Sequence, residues 1–234
     1  MAGHIALVGG DEFRAGCEEM DRAVLEATGR DRPSVLVIPT AAAEQSPSKA
    51  AANGVGYFSG LGADASALMV LDATEAADAE LLAPADSADV LYLTGGSPRH
   101  LLSVLEGSLL LRKLEDALAR GATVAGSSAG AMVLGSWMRF RDWTEALGIV
   151  PGAVLPHHER SDPFTVAKQL AAEMPSGVYV LGIDSMTCCS GGSDGWRVLG
   201  QGAVTLYING AWHKFGSGEQ VDILVPGSLA SSDV

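Results

Sequence analysis

Short apolar, β-branched runs alternate with amphipathic stretches through the first 125 residues, and this alternation constrains the fold more than any other feature. The runs at 4–10, 34–40, 66–72, 89–96 and 122–126 read as buried strands, since a parallel strand covered on both faces is apolar throughout. Between them, stretches such as 17–28 and 109–119 place apolar residues at helical spacing and charge on the opposite face. Strand–helix alternation predicts an α/β fold: a doubly wound, mostly parallel sheet with helices on both faces and right-handed crossovers. After residue 140 the pattern changes. The segments 178–184, 196–210 and 222–225 read as short strands with glycine turns, which makes them antiparallel additions to the sheet in the C-terminal third. No linker, repeat or low-complexity block interrupts the chain, so a single domain over 1–234 is expected, with 227–234 as a frayed tail.

Composition narrows the function. With 47% apolar and 18% charged residues, the chain suits a compact globular protein. A formal net charge of −13 argues against nucleic acid and anionic membrane as partners, because both require a basic footprint. Cys17, Cys188 and Cys189 are too few and too poorly spaced for a disulfide scaffold or a metal site, so reduced structural thiols are expected. No run reaches the roughly 18 apolar residues of a membrane span, and no secretory signal is visible at the start. The expectation is a cytoplasmic protein without metal or cofactor.

In such sheets the working groups collect at the carboxyl ends of the strands. The fifth run ends in Gly126-Ser127-Ser128-Ala129-Gly130, followed by small and apolar residues compatible with a helix. This fits G-x-S-x-G in the context that pattern needs, strand then tight turn then helix. A nucleophile displayed on a strained turn needs small neighbours two positions away on each side. That selects Ser128, because the same positions around Ser127 are alanines. A turn that is merely tight, or one that binds phosphate, has similar composition. For a hydrolase, the backbone N–H of Ala129 supplies half of an oxyanion hole, and Gly95 or Gly96 at the end of the neighbouring strand supplies the other half.

The segments "LYLTGGSPRHLL", "GATVAGSSAGAMVLG", "LGIVPGAVLPHHER", "VLGIDSMT" and "VLGQGAVTLY" together resemble the cyanophycinase and peptidase E family of serine hydrolases. The resemblance covers most of the chain in order and spacing and is tightest at the elbow and the Pro-His segment. It implies a class I glutamine amidotransferase-like (flavodoxin-like) fold and a homodimer. It also implies cleavage of a small aspartyl peptide or related amide by a serine nucleophile, a histidine base and an acidic third member.

The base must lie within hydrogen-bond reach of the serine. His157 and His158 stand 29 and 30 positions after Ser128, in a loop beyond the elbow helix. The Pro156-His157 match implied by the resemblance favours His157, and the spacing in the cyanophycinase branch favours His158. The acid is where the chain departs from its relatives. In the cyanophycinase branch an acidic residue follows the aspartate of the "GIGIDE" segment, and here Ser185 follows Asp184. Asp184 is the nearest acid in register, ahead of Asp142 and Glu145. Arg160 is the first choice to clamp a substrate carboxylate, with Arg99, Arg139 and Arg141 also near in sequence. The family's polar residue after the glycine pair is altered here, Ser97-Pro98 standing where Asp-Gln or Asn-Thr is usual, and Ser97 is the candidate substrate contact at that position. Asp11 and Glu12 could hold a substrate amine or cap the next helix.

A second class of function is an amidotransferase-like binding protein for a small metabolite or partner, which kept the elbow and lost the triad. A dinucleotide-binding oxidoreductase is disfavoured because "LVGGDEFRAG" lacks the G-x-G-x-x-G spacing. In an α/β-hydrolase esterase the acid falls between serine and histidine, and the interval here is too short for the strand and helix that would carry it.

Overall fold

In a computed structural model, residues 3–175, 177–192 and 195–221 are described. Five parallel strands form the centre of the main sheet: β1 (His4–Val8), β2 (Ser34–Ile38), β3 (Asp64–Ala67), β4 (Val90–Leu93) and β5 (Thr123–Ser127). Their spatial order is β1-β5-β4-β2-β3. Beyond β1, the strands Thr187–Gly192, Gly195–Gly200 and Gln220–Val221 continue the sheet antiparallel. The helices are α1 (Glu18–Glu26), α2 (Pro47–Gly60), α3 (Pro98–Leu105), α4 (Leu109–Ala119), α5 (Ala129–Leu134) and α6 (Pro163–Glu173). This is the α/β architecture that the alternating sequence predicts.

The period of two along each strand divides the core. Ala6, Val8, Val35, Val37, Val90 and Tyr92 pack with Met20 and Val24 of α1 and Phe58 of α2. The intervening residues, including Ile5, Leu7, Leu36, Leu91 and Val124, face the other way and pack with Leu101 of α3, Leu114 of α4 and Val133 of α5. Helices therefore cover both faces.

Two expectations need correction. The run 66–72 leaves the ladder early: β3 ends at Ala67, and Leu68 and Val70 bury their side chains without being strand residues. Apolar content alone does not separate a strand from core-facing loop. The late strands are also not all additions to one sheet. Ala153–Leu155, Val180–Ile183, Val204–Ile208 and Ala211–Phe215 form a second, four-stranded sheet. Residues 196–210 split between the two sheets, one strand in each, joined through Gln201-Gly202-Ala203. The expected strand at 222–225 and the tail at 227–234 lie outside the described residues.

In the second sheet, Ala153–Leu155 pairs parallel with Val180–Ile183, Leu155 opposite Gly182. The chain leaves both strands at the same edge. Two residues beyond Leu155 comes His157, and two beyond Ile183 comes Ser185. This edge abuts the carboxyl end of β1, so residues far apart in sequence meet beside β5.

Candidate active site

β5 ends between β1 and β4, and the chain turns sharply at Ser128 into α5. Ser128 has φ 47° and ψ −104°, a region that side-chain-bearing residues rarely occupy. Glycines make the turn possible. A Cβ on Gly130 would strike the carbonyl of Leu93 in β4, and one on Gly126 would press on the backbone of Gly130, 2.5 Å away. Ser128 is half-buried, and its amide donates to Val8 O at 2.9 Å.

The carboxyl end of β1 fixes the rest. Three consecutive carbonyls each hold one arm: Val8 O accepts from Ser128 N, Gly9 O from His157 N at 2.8 Å, and Gly10 O from Met186 N at 3.0 Å. His157 is left-handed at φ 54°, which aims its ring back at the elbow. That ring lies where a side chain on Gly10 would be, so only glycine leaves it room. His157 Nε2 is 3.2 Å from Ser128 Oγ, and its Nδ1 is 3.0 Å from Ser185 Oγ. Ser185 also meets Glu159: its N–H donates to Oε2 at 2.9 Å, and its Oγ is 3.3 Å from Oε1. Burial tends to raise the Glu159 carboxyl, but the hydrogen bonds from the Ser185 and Glu159 amides and the Ser185 hydroxyl, with nearby His157, hold it below the usual carboxylate range.

His158 and Asp184 are not brought to the serine. The ring of His158 turns into the second sheet, against Gly182, and Nε2 bonds the hydroxyl of Tyr207 at 2.6 Å. Burial there lowers its pKa and favours the neutral ring. Asp184 is buried, and its Oδ2 accepts from Ala203 N at 3.0 Å, tying two strands of the second sheet together. Its chain direction at the strand end places Ser185, and not its own carboxylate, at the imidazole. Asp142 and Glu145 sit on an exposed hairpin formed by Trp137–Phe140 and Asp142–Glu145.

Among the proposed amides, Gly95 N–H is already donated to Glu12 Oε1 at 2.8 Å. This committed bond removes it as an oxyanion donor and leaves Gly96 and Ala129. Glu12 Oε2 accepts from the buried hydroxyl of Ser127 at 2.8 Å, so one carboxylate braces the ends of β4 and β5 on either side of the elbow. It caps no helix, since α1 begins only at Glu18. Ser97 is occupied as the N-cap of α3, accepting from His100 N at 3.3 Å. Arg160 is exposed and is not among the residues lining the cleft around Ser128. Arg99 stacks on Phe140 and Arg139 pairs with Glu173, both away from the serine.

The cleft has a volume of about 420 Å³ and is open to solvent. Ser128, His157 and Gly96 form one wall, and Phe13, Arg14 and Asn53 line it as well. Arg14 is its cation, paired to Asp11 at 3.4 Å. A polar hollow of about 490 Å³ lies at the opposite, amino-terminal end of the central strands, around Arg30, Asp89 and Arg120, and no histidine lines it.

A serine on a strained strand–helix turn, touched by an imidazole and facing a cleft, defines the class: a serine hydrolase on a three-layered α/β scaffold. The sequence model of Peptidase family S51 matches residues 5–189, and the chain belongs to that family. It is thus a serine-type peptidase or amide hydrolase. A cyanophycinase from Trichormus variabilis is 26% identical over 219 residues, covering 86% of this chain and 72% of its own. A cyanophycinase from Synechococcus elongatus is 29% identical over 153 residues, 59% of this chain and 48% of the relative. Among solved structures, a peptidase from an acI-B1 Actinobacterium superposes with TM-score 0.82 at 27% identity, covering 94% of this chain and 96% of that one. A putative peptidase E protein from Listeria monocytogenes shares the fold with TM-score 0.56 at 16% identity, over 92% and 98% of the two chains.

Sequence reasoning missed Glu159 and Arg14, and marked Ser185 only as the residue replacing the family's acid, not as a partner of the histidine. Glu159 carried one usable signal, its position two residues after the base in His157-His158-Glu159. Arg14 carried none, since its approach to the cleft depends on the loop after β1.

Proposed function

We propose that the chain cleaves small aspartyl peptides, with Ser128 as nucleophile and His157 as its base. The observation that carries this reading is the 3.2 Å contact between His157 Nε2 and Ser128 Oγ at the mouth of the cleft. His157 takes the hydroxyl proton as Ser128 Oγ attacks the scissile carbonyl, then returns it to the leaving amine. The N–H groups of Gly96 and Ala129 receive the developing oxyanion, and the strained turn holds the hydroxyl ready. A cleft of about 420 Å³ suits a dipeptide or a chain end. Arg14 is placed to exchange Asp11 for a substrate carboxylate, the contact an aspartyl residue would supply. Cyanophycinases among the relatives favour that substrate class. Three free, buried cysteines support a reducing, cytoplasmic setting, and the core shared by the two sheets supports a single domain. A homodimer is part of the same reading, and sedimentation tests it.

Purified protein incubated with aspartyl dipeptides and with an aspartate–arginine polymer releases new amines, and Ser128→Ala releases none. Cleavage of other dipeptides with none at aspartyl residues would overturn the substrate class. Equal activity in Ser128→Ala would overturn the nucleophile.

A further inference from the structure

We propose that Glu159 is the positioning carboxylate of this site and acts on His157 through the hydroxyl of Ser185. The proposal rests on the reading of Ser128 and His157 given above. The hydrogen bonds have only one consistent direction. An ionised carboxylate can only accept, so Ser185 O–H donates to Glu159 Oε1. The Ser185 oxygen is then left to accept, and the donor facing it is His157 Nδ1–H. With its proton on Nδ1, the imidazole presents a bare Nε2 to the hydroxyl of Ser128. Glu159 therefore sets the tautomer in which His157 can act as a base, although it does not touch the ring. Its second oxygen accepts from Ser185 N–H at 2.9 Å, which locks the carboxylate and the hydroxyl into one unit.

The fold explains why these groups meet. Ser185 and His157 leave neighbouring parallel strands at one edge, and Glu159 follows His157 in a short 3-10 turn, His158–Arg160. Asp184, the acid in register, is spent on Ala203 N–H inside the second sheet. When His157 becomes an imidazolium during the reaction, the charge of Glu159 favours it across the bridging hydroxyl.

The test is the rate at which a fluorophosphonate labels the full chain between pH 5 and 9, followed by intact mass, for wild type, Glu159→Gln, Ser185→Ala and the double variant. A directly bonded carboxylate is worth about 10⁴-fold in such sites, and a hydroxyl-bridged one is expected to be worth about 10–100-fold. Ser185→Ala should thus label about 10–100-fold more slowly. Glu159→Gln should also slow, and its pH midpoint should move to lower pH because the imidazolium has lost a nearby negative charge. The double variant should be no slower than the slower single one, since the two residues act in series. Wild-type rate and midpoint in Glu159→Gln, or multiplicative effects in the double variant, would overturn the relay while leaving Ser128 and His157 standing. A wild-type protein that labels no faster than Ser128→Ala would overturn the nucleophile, and the relay with it.

Discussion

The elbow and the second-sheet edge meet at one oxygen atom but are built by opposite means. At the elbow, everything that matters lies within five residues: Gly126 and Gly130 clear the neighbouring strand, and the turn forces Ser128 outward. At the edge, His157, Ser185 and Glu159 come from two strands whose pairing is long-range, and the carbonyls of Val8, Gly9 and Gly10 clamp both halves together. The first half is local stereochemistry, and the second depends on register. A change at the elbow should therefore act on chemistry in place, whereas a change at the edge should divide into effects on activity and effects on stability according to which way each side chain points.

The largest expected effect is at the elbow. Ser128→Ala should reduce peptide hydrolysis by about 10⁴-fold or more with an unchanged melting temperature, measured by turnover and thermal unfolding. Across the site, His157→Ala should cost about 10²–10⁴-fold in turnover and little stability, because the ring is exposed. Its neighbour should behave in the opposite way. His158→Ala should leave turnover within about threefold but lower stability by about 1–3 kcal/mol in denaturant titrations, because the buried Tyr207 hydroxyl loses its partner. If His158→Ala lost activity as severely as His157→Ala, the division of labour within the pair would be wrong.

The two halves also differ in how much of them could be read from the sequence. Four of the five parallel strands, the helix Leu109–Ala119 and the turn at Ser128 follow from hydrophobic period and glycine placement, which are local signals; the exposed edge strand Asp64–Ala67 does not. The choice between His157 and His158 was not local. It depends on a left-handed residue after Pro156 that turns successive side chains in opposite directions. Asp184 is a similar case: it has the right chemistry and the right strand end, but the chain carries its carboxylate inward to Ala203 and not to the imidazole. Glu12 looked like a helix cap or an amine ligand, and only the adjacency of β4 and β5 shows that it spans Gly95 and Ser127.

Smaller effects sharpen the contrast. Glu12→Ala should lower stability by about 1–3 kcal/mol, because the buried Ser127 hydroxyl and the Gly95 amide lose their acceptor. Away from both halves, Asp21 is buried beside the Tyr57 hydroxyl, and burial pushes its carboxyl from 3.8 up to about 7. The folded chain therefore keeps this proton at pH values where the unfolded chain has released it. The stability it contributes is complete below about pH 4 and is lost as the pH rises through about 7. Asp21→Asn should flatten that slope, narrowing the gap in melting temperature between pH 5 and pH 8 by about 2–4 °C for each ~1 kcal/mol involved.

The central claim is that the Ser128 hydroxyl is nucleophilic because His157 removes its proton. Peptide mapping of the fluorophosphonate adduct tests it most directly. The account predicts a single adduct on Ser128 in the wild-type protein, strongly slowed in His157→Ala and unaffected in His158→Ala. An adduct on another residue, or equal labelling of Ser128 with and without His157, would contradict it.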